Sequence, residues 1–283
     1  MADRLIDSAR STVGRARTAA SNVFHRSADK YTLRLGGRRI TFSTTDPVAH
    51  QWFYPRYAFN RLHERSVTLR LVQDFARARC FADIGANLGF YTCLAQKLMP
   101  GGAVHSFEMD QHNYGLLTAN VALNQSGVDV ITTKAAVSDH VGTIDYQIGA
   151  AGINPALGQY AAVEGAVRTV TVPTVVLKSY FAALGTAPDL MKVDVEGAEL
   201  DVLRGMGDLL AEVHTLYVEL HPDNLAVAGQ EPGEVLELLA ANHRIFVQPD
   251  IRARHERLWR EVTPDSPMTG NPMLLATHRS FSR

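Results

Sequence analysis

Only two cysteines, Cys80 and Cys93, occur in 283 residues. They lack a C-x-x-C spacing and are too few for a disulfide framework, so reduced thiols are expected. Long apolar runs are also missing. None approaches the roughly 18–20 residues needed to span a bilayer, and residues 1–21 lack the unbroken apolar stretch of a secretory leader. These absences point to the cytoplasm. No basic run is interleaved with aromatic residues, which argues against a nucleic-acid partner. No H-x-x-x-H or Cys/His spacing marks a zinc site, and neither an internal repeat nor a low-complexity tract is visible.

What is present is an ordinary globular composition, 46% hydrophobic, with a net charge of −1 that conceals an asymmetry. Residues 1–70 carry 13 Lys and Arg against 5 Asp and Glu, a net of +8, which leaves −9 for the rest. Leu5, Ala9, Val13, Ala16, Ala20 and Phe24 recur near helical spacing, with Arg4, Arg10, Arg15 and Arg17 between them. A basic amphipathic helix is expected there, docked on its own domain or, alternatively, touching a membrane surface. YTLRLGGRRITFSTT alternates about Gly36-Gly37 as a hairpin does. Trp52, Phe53, Tyr54 and Tyr57 then cluster near Pro47 and Pro55. Trp52 and Tyr54 are candidate walls of a substrate pocket, although such a cluster equally serves packing. A helix from about Ser66 to Arg77 completes an N-terminal extension, taken as residues 1–75, ahead of a main domain over residues 76–283.

From Cys80 strands and helices alternate: CFADIG, GAVHSFEMD, VDVITTKAAV, LMKVDVEG and VHTLYVELHP as strands, with helical segments between most of them. RIFVQP and NPMLLATHR close the chain as two more strands. The expected fold is a Rossmann-like α/β domain: a mostly parallel seven-stranded sheet, helices on both faces and an antiparallel C-terminal edge strand. A Gly- and Ala-rich excursion, which contains the substrate candidate Asn154, separates the third and fourth strands.

The turn after the first strand reads Gly85-Ala86-Asn87-Leu88-Gly89-Phe90. A dinucleotide fingerprint needs glycine where Asn87 and Phe90 stand, so close approach of a pyrophosphate is obstructed. A nicotinamide-dependent oxidoreductase is disfavoured on that ground. S-adenosylmethionine, a cofactor without phosphates, fits better, its carboxylate accepting bonds from the turn's amide N–H groups. Glu108, ending the second strand, can accept both ribose hydroxyls. A non-catalytic scaffold using the basic N-terminus is the remaining alternative class.

FADIGANLGFYT, HSFEMDQHNYGLLTANVALN, LMKVDVEGAELDVLRG and LYVELHPD, in that order, resemble the FkbM family of S-adenosylmethionine-dependent methyltransferases over roughly Ala76 to Asn242. The D-x-E-G-A-E element, Asp194 to Glu199, is the most distinctive part. The resemblance implies a class I methyltransferase fold, with Asp83, Gly85, Asn87 and Gly89 at the methionine end beside Ala86. It puts Glu108 on the ribose, with Met109 next to it, and the Ala135-Ala136 region on the adenine. It also implies methylation of a small-molecule hydroxyl on a sugar or polyketide-type natural product, with nitrogen or carboxyl acceptors as alternatives. The sequence departs from the family at Met109, where proline often stands, and at Leu177-Lys178, where Leu-Asp is common.

Transfer of a methyl cation to a neutral hydroxyl needs a base and close alignment. The strand ends put Asp194 and Glu196 after the fourth strand, and Glu219 and His221 after the fifth. Asp194 is the first choice for a cofactor or acceptor contact. His221 is the first choice for the general base, because an imidazole titrates near neutrality without help. Glu196 alternatively caps the following helix, and His221, preceding Pro222, alternatively closes a turn. The convergence of acids also raises a divalent ion such as Mg²⁺, which the sequence does not favour. The oligomeric state is not legible.

Overall fold

The computed structural model describes residues 29–57, 61–148, 155–157, 168–249 and 259–281. The expected N-terminal basic helix and Asn154 lie outside these. The chain divides into two compact units between His63 and Glu64, so the helix read as the end of the N-terminal extension belongs to the second unit.

In the first unit, β1 (Lys30–Leu35) and β2 (Arg38–Ser43) form the hairpin about Gly36-Gly37, with Leu35 opposite Arg38. The aromatic segment is a helix, α1 (Pro47–Tyr57). Phe53 stacks on Phe42 at a centroid distance of 4.5 Å and on Tyr31 at 5.9 Å. Tyr54 is buried and its hydroxyl donates to the Lys30 carbonyl. Trp52 packs edge-on against Phe53 and lies beneath the Arg56 guanidinium. Tyr54 and Trp52 thus both take part in the aromatic packing of this unit.

The second unit holds an eight-stranded sheet. Its strands are β3 (Cys80–Ile84), β4 (Ala103–Phe107), β5 (Asp129–Thr133), β10 (Leu190–Val193), β11 (Thr215–Glu219), β12 (His243–Gln248), β13 (Arg260–Val262) and β14 (Met273–His278). They lie in the order β13-β12-β14-β11-β10-β3-β4-β5. The five strands from β5 to β11 are parallel, and β14 runs antiparallel to both β11 and β12. The C-terminal strand is therefore antiparallel as expected, but it lies inside the sheet and β13 takes the edge. Beside the main sheet, β6 (Ala136–Val137), β7 (Thr143–Ile148), β8 (Pro155–Leu157) and β9 (Arg168–Val175) form a second sheet from the excursion between the third and fourth parallel strands.

Strand alternation decides which helices each face meets. Ala82, Ile84, Met191, Val193, Leu216 and Val218 share one core with α5 (Leu177–Leu184), α6 (Glu199–Met206) and α8 (Pro232–Ala240). The alternate residues point the other way, toward α2 (Arg65–Phe75), α3 (Phe90–Leu98) and α4 (Gln111–Leu123). Tyr217 donates to Asp74 of α2 at 2.6 Å, and Asp83 accepts from Thr92 of α3 at 2.6 Å. Lys192 belongs to this second set, since it pairs in register with Asp83 and Tyr217. The strand order reverses between β3 and β10, and ligands of open α/β sheets bind beyond the carboxyl ends at such a switch point.

Candidate active site

A cavity opens there, between the ends of β3, β4 and β10. Its polar side is formed by Gly85, Asn87, Glu108, Asp194 and Glu196, and its apolar side by Met109, Ala135, Ala136 and Ile144. A larger cavity of about 520 Å³ lies at the opposite end, beside Asp189, Leu190 and Thr215. Its two acids serve the fold: Asp74 accepts from Tyr217, and Asp189 accepts from the amides of Arg79 and Cys80. The smaller cavity, at the carboxyl ends, is lined by Glu108, Asp194 and Glu196, whereas the predicted residues Glu219 and His221 lie outside its lining.

Glu108 is buried, and each of its oxygens already accepts one amide: Oε2 from Asn87 at 2.7 Å and Oε1 from Asp110 at 2.8 Å. A carboxylate oxygen has a second lone pair, so the group can still accept two hydroxyls. Burial pushes its carboxyl up to about 7 against those two amide bonds.

The turn itself is fully committed. The amides of Gly85 and Ala86 donate to the Phe107 carbonyl, Asn87 to Glu108, Leu88 to Asn87 Oδ1 and Gly89 to the Ala86 carbonyl. The sequence expectation that these N–H groups hold a ligand carboxylate is corrected, because none from 85 to 89 lacks a partner. The same commitment removes the amide cradle that a pyrophosphate needs. Asp83 is likewise committed to the fold, since Thr92 bridges it to Ser106 and ties α3 to the sheet. Burial raises its carboxyl, opposed by Lys192 and Thr92. Gly89 adopts φ 84°, and a Cβ there would lie 2.7 Å from Leu117 Cδ1, so it serves the contact of α3 with α4. Asp83, Ala86 and Gly89 do not line the cavity.

At the other end of the site six acids act on two cations. Lys192, 2% exposed, donates to Asp194 Oδ2 at 2.8 Å, and its ammonium lies 4.9 Å from the Tyr91 ring centre. Tyr91 in turn donates to Glu64 at 2.6 Å. Burial opposes the ammonium, but Asp194, Glu219, Glu64 and Asp83 more than offset it and keep it charged. Asp194 feels burial too, yet Lys192 and His221 hold its carboxyl below the ordinary range. Glu219 is the counterpart: burial and the charges of Asp194 and Glu64 push it up to about 9. Of these two acids Asp194 is the more readily ionised, and Glu219 holds its proton to higher pH.

His221 packs among these acids. Its Nδ1 lies 2.7 Å from Glu199 Oε1, and its Nε2 lies 3.3 Å from Glu196 and 3.9 Å from Glu219. Burial disfavours the imidazolium, but the bond and charge of Glu199, with Asp194 and Glu196, push it up to about 10. The expected imidazole titrating near neutrality without help is corrected to one that its neighbours keep charged. Glu196 does not cap α6, whose N-cap is Ala198. It adopts φ 54°, an uncommon backbone for a non-glycine residue, while lining the cavity. Asp194, Glu219 and His221 place ligating atoms within 4.8 Å of one another, and the positive charge beside them is the chain's own Lys192.

Sequence reasoning missed Glu64, Tyr91, Lys192 and Glu199. A lysine inside the otherwise apolar strand LMKV was a usable signal, because a buried ammonium demands a carboxylate, and Asp194 is two residues on.

Residues 83–246 match the family model of the methyltransferase FkbM domain. Over 177 residues the chain is 27% identical to the hexuronic acid methyltransferase AglP of Haloferax volcanii, covering 62% of this chain and 68% of that one. Among solved structures, a SAM-dependent methyltransferase from Agrobacterium tumefaciens aligns over 89% of this chain and 70% of its own, with a TM-score of 0.42 and 10% identity. An O-methyltransferase from Bacillus cereus in complex with SAH aligns over 76% and 80%, with a TM-score of 0.41 and 12% identity.

Proposed function

Because the chain belongs to the FkbM methyltransferase family, we propose that it transfers a methyl group from S-adenosylmethionine to a hydroxyl of a small molecule, a sugar or polyketide-type natural product. The observation that carries this reading is the cavity at the β3/β10 switch point, with Glu108 at one side and ionised Asp194 at the other. The residues fit the cofactor. Glu108 keeps acceptor capacity for two ribose hydroxyls, Met109, Ala136 and Ile144 offer an apolar surface for an adenine, and Asp194 and Glu196 suit a cationic amino-acid end. When bound, the cofactor supplies an electrophilic methyl on a sulfonium.

The chain's own residues supply alignment and proton handling. Asp194, ionised and acceptor-only, can take a hydrogen bond and then the proton from a hydroxyl. His221, charged and paired with Glu196 through Nε2, adds positive charge beside Asp194. An alcohol needs such an acceptor as attack proceeds, whereas a free amine does not, which favours oxygen over nitrogen. Both cysteines are buried and unpaired, and among the described residues no helix is long and apolar enough to cross a membrane. These features support a cytoplasmic setting.

Calorimetry tests the cofactor: S-adenosylmethionine and its demethylated product should bind and NAD(H) should not, and absence of binding by S-adenosylmethionine would remove the proposal. Labelled-methyl transfer to neutral glycosides and polyketide alcohols then tests the acceptor.

Glu108 gives a second test. Glu108→Gln should weaken the cofactor about ten- to a hundredfold, the loss of a charge-assisted acceptor pair. In the wild type the ionised form is the better acceptor, so affinity should decline as pH falls through about 7. That slope should vanish in Glu108→Gln. A slope of the same size in both proteins would show that another group is responsible.

A further inference from the structure

Glu199 lies on α6, outside the cavity lining, and is fully buried. Its Oε1 accepts the Gly197 amide at 2.9 Å and faces His221 Nδ1 at 2.7 Å. Its Oε2 is buried with no hydrogen-bond partner. A carboxylate so far from water is retained only where a cation compensates it, and stripping a buried ion of its partner is strongly destabilising. The nearest titratable group is His221. The turn before Glu199 is left-handed at Glu196 and has Gly197 at φ 112°, and it is the Gly197 amide that bonds the Glu199 carboxylate.

We propose that Glu199, the last acid of the D-x-E-G-A-E element, is a positioning residue that clamps the His221 ring through Nδ1 and so fixes Nε2–H toward Glu196, which lines the cavity. This rests on the methyl-transfer reading for its purpose, though not for its geometry. It changes what His221 does: the ring holds a fixed positive charge beside Glu196 and Asp194, and Asp194 takes the proton. The charged groups facing the ring come from every neighbouring element. Glu199 comes from α6, Glu196 and Asp194 from the β10–α6 turn, and Glu219 from β11, with Lys192 of β10 behind Asp194.

The sign follows from that arrangement. A histidine whose folded value lies above its free value of 6.5 contributes stability in full below about 6.5, and this is lost as pH rises through about 10. The positive charge beside Glu196 and Asp194 disappears over the same upper range. Removing the Glu199 charge leaves burial less opposed and moves the titration down.

The experiment is NMR of the full chain labelled with ¹⁵N-histidine, with His221 assigned by its disappearance in His221→Gln. In the wild type both ring nitrogens should be protonated at pH 7. In Glu199→Gln the midpoint should fall by about 1–3 pH units, and Glu199→Asp should recover part of that shift. The alkaline limb of turnover should move with it. A neutral His221 in the wild type at pH 7, or an identical midpoint in wild type and Glu199→Gln, would overturn the proposal. Should Glu199→Gln not fold, the wild-type ring decides: a charged ring with a slowly exchanging Nδ1 proton supports the clamp, and a neutral one removes it. If S-adenosylmethionine fails to bind the wild type, the methyl-transfer reading falls while the His221 titration still reports on Glu199.

Discussion

Asp194→Asn should lower methyl transfer by about 10²–10⁴-fold, the range expected when a proton acceptor in the transition state is lost. It should also weaken S-adenosylmethionine about ten- to a hundredfold, because a charged partner for the cofactor's cationic end is lost. The protein should nevertheless fold. Asparagine keeps the shape and can still accept from the Lys192 ammonium, which now donates to Asp194 Oδ2 at 2.8 Å. After burial, the charge of Asp194 is the main influence that raises the Glu219 carboxyl. Removing it leaves burial and Glu64 acting on Glu219 but makes its ionisation beside Lys192 easier, so the variant should still show a cooperative melt. Single-turnover transfer to whichever acceptor the wild type methylates, with calorimetry of the cofactor and a thermal melt, separates these effects. Near-normal turnover in a folded Asp194→Asn protein would move the proton chemistry elsewhere in the cluster.

The parts of this fold legible in the sequence are those whose signal is local. CFADI is buried along its whole length and reads as an interior parallel strand, and the glycine-bearing turn and FYTCLAQKL follow directly. Order within the sheet is not local. RIFVQP and NPMLLATHR read as two closing strands, the last of them antiparallel. That β14 sits between β11 and β12, and that β13 adds an edge, depends on pairing between segments far apart in the chain. Three helices were invisible for separate reasons. α1 has no apolar stripe and carries Pro47 and Pro55, α7 (Pro222–Val227) is too short to show a period, and α5 is a short helix right after the excursion's last strand. In the site, Glu108 and Asp194 could be placed because they end strands. Glu199 could not, since its role depends on a contact with His221, 22 residues on, that sequence pattern does not reveal.

Gly85→Ala should be the most damaging single substitution considered, and the reason differs from the one the sequence suggests. A glycine opening a cofactor turn is expected to keep space clear for a ligand. Here the space is taken by the protein. A Cβ on Gly85 would lie 1.9 Å from the Asp194 carbonyl oxygen and 2.9 Å from its carbon, at φ +77°. Neither side can withdraw, because Ile84 is paired with Val193 across β3 and β10. The Gly85 amide is also bonded to Phe107, and the Asp194 amide to Ile84. The left-handed backbone alone costs an alanine about 1–2 kcal/mol, and a backbone clash inside a buried sheet junction should take the total beyond about 4 kcal/mol. Little folded protein should accumulate, with a melting transition many degrees lower in whatever is recovered. Loss of cofactor binding in this variant therefore reports the β3/β10 junction, and Glu108→Gln is the substitution that reports the ligand. If Gly85→Ala melts within a few degrees of the wild type and loses only its affinity for S-adenosylmethionine, the close approach of Gly85 to the Asp194 carbonyl is wrong and the glycine serves the ligand directly.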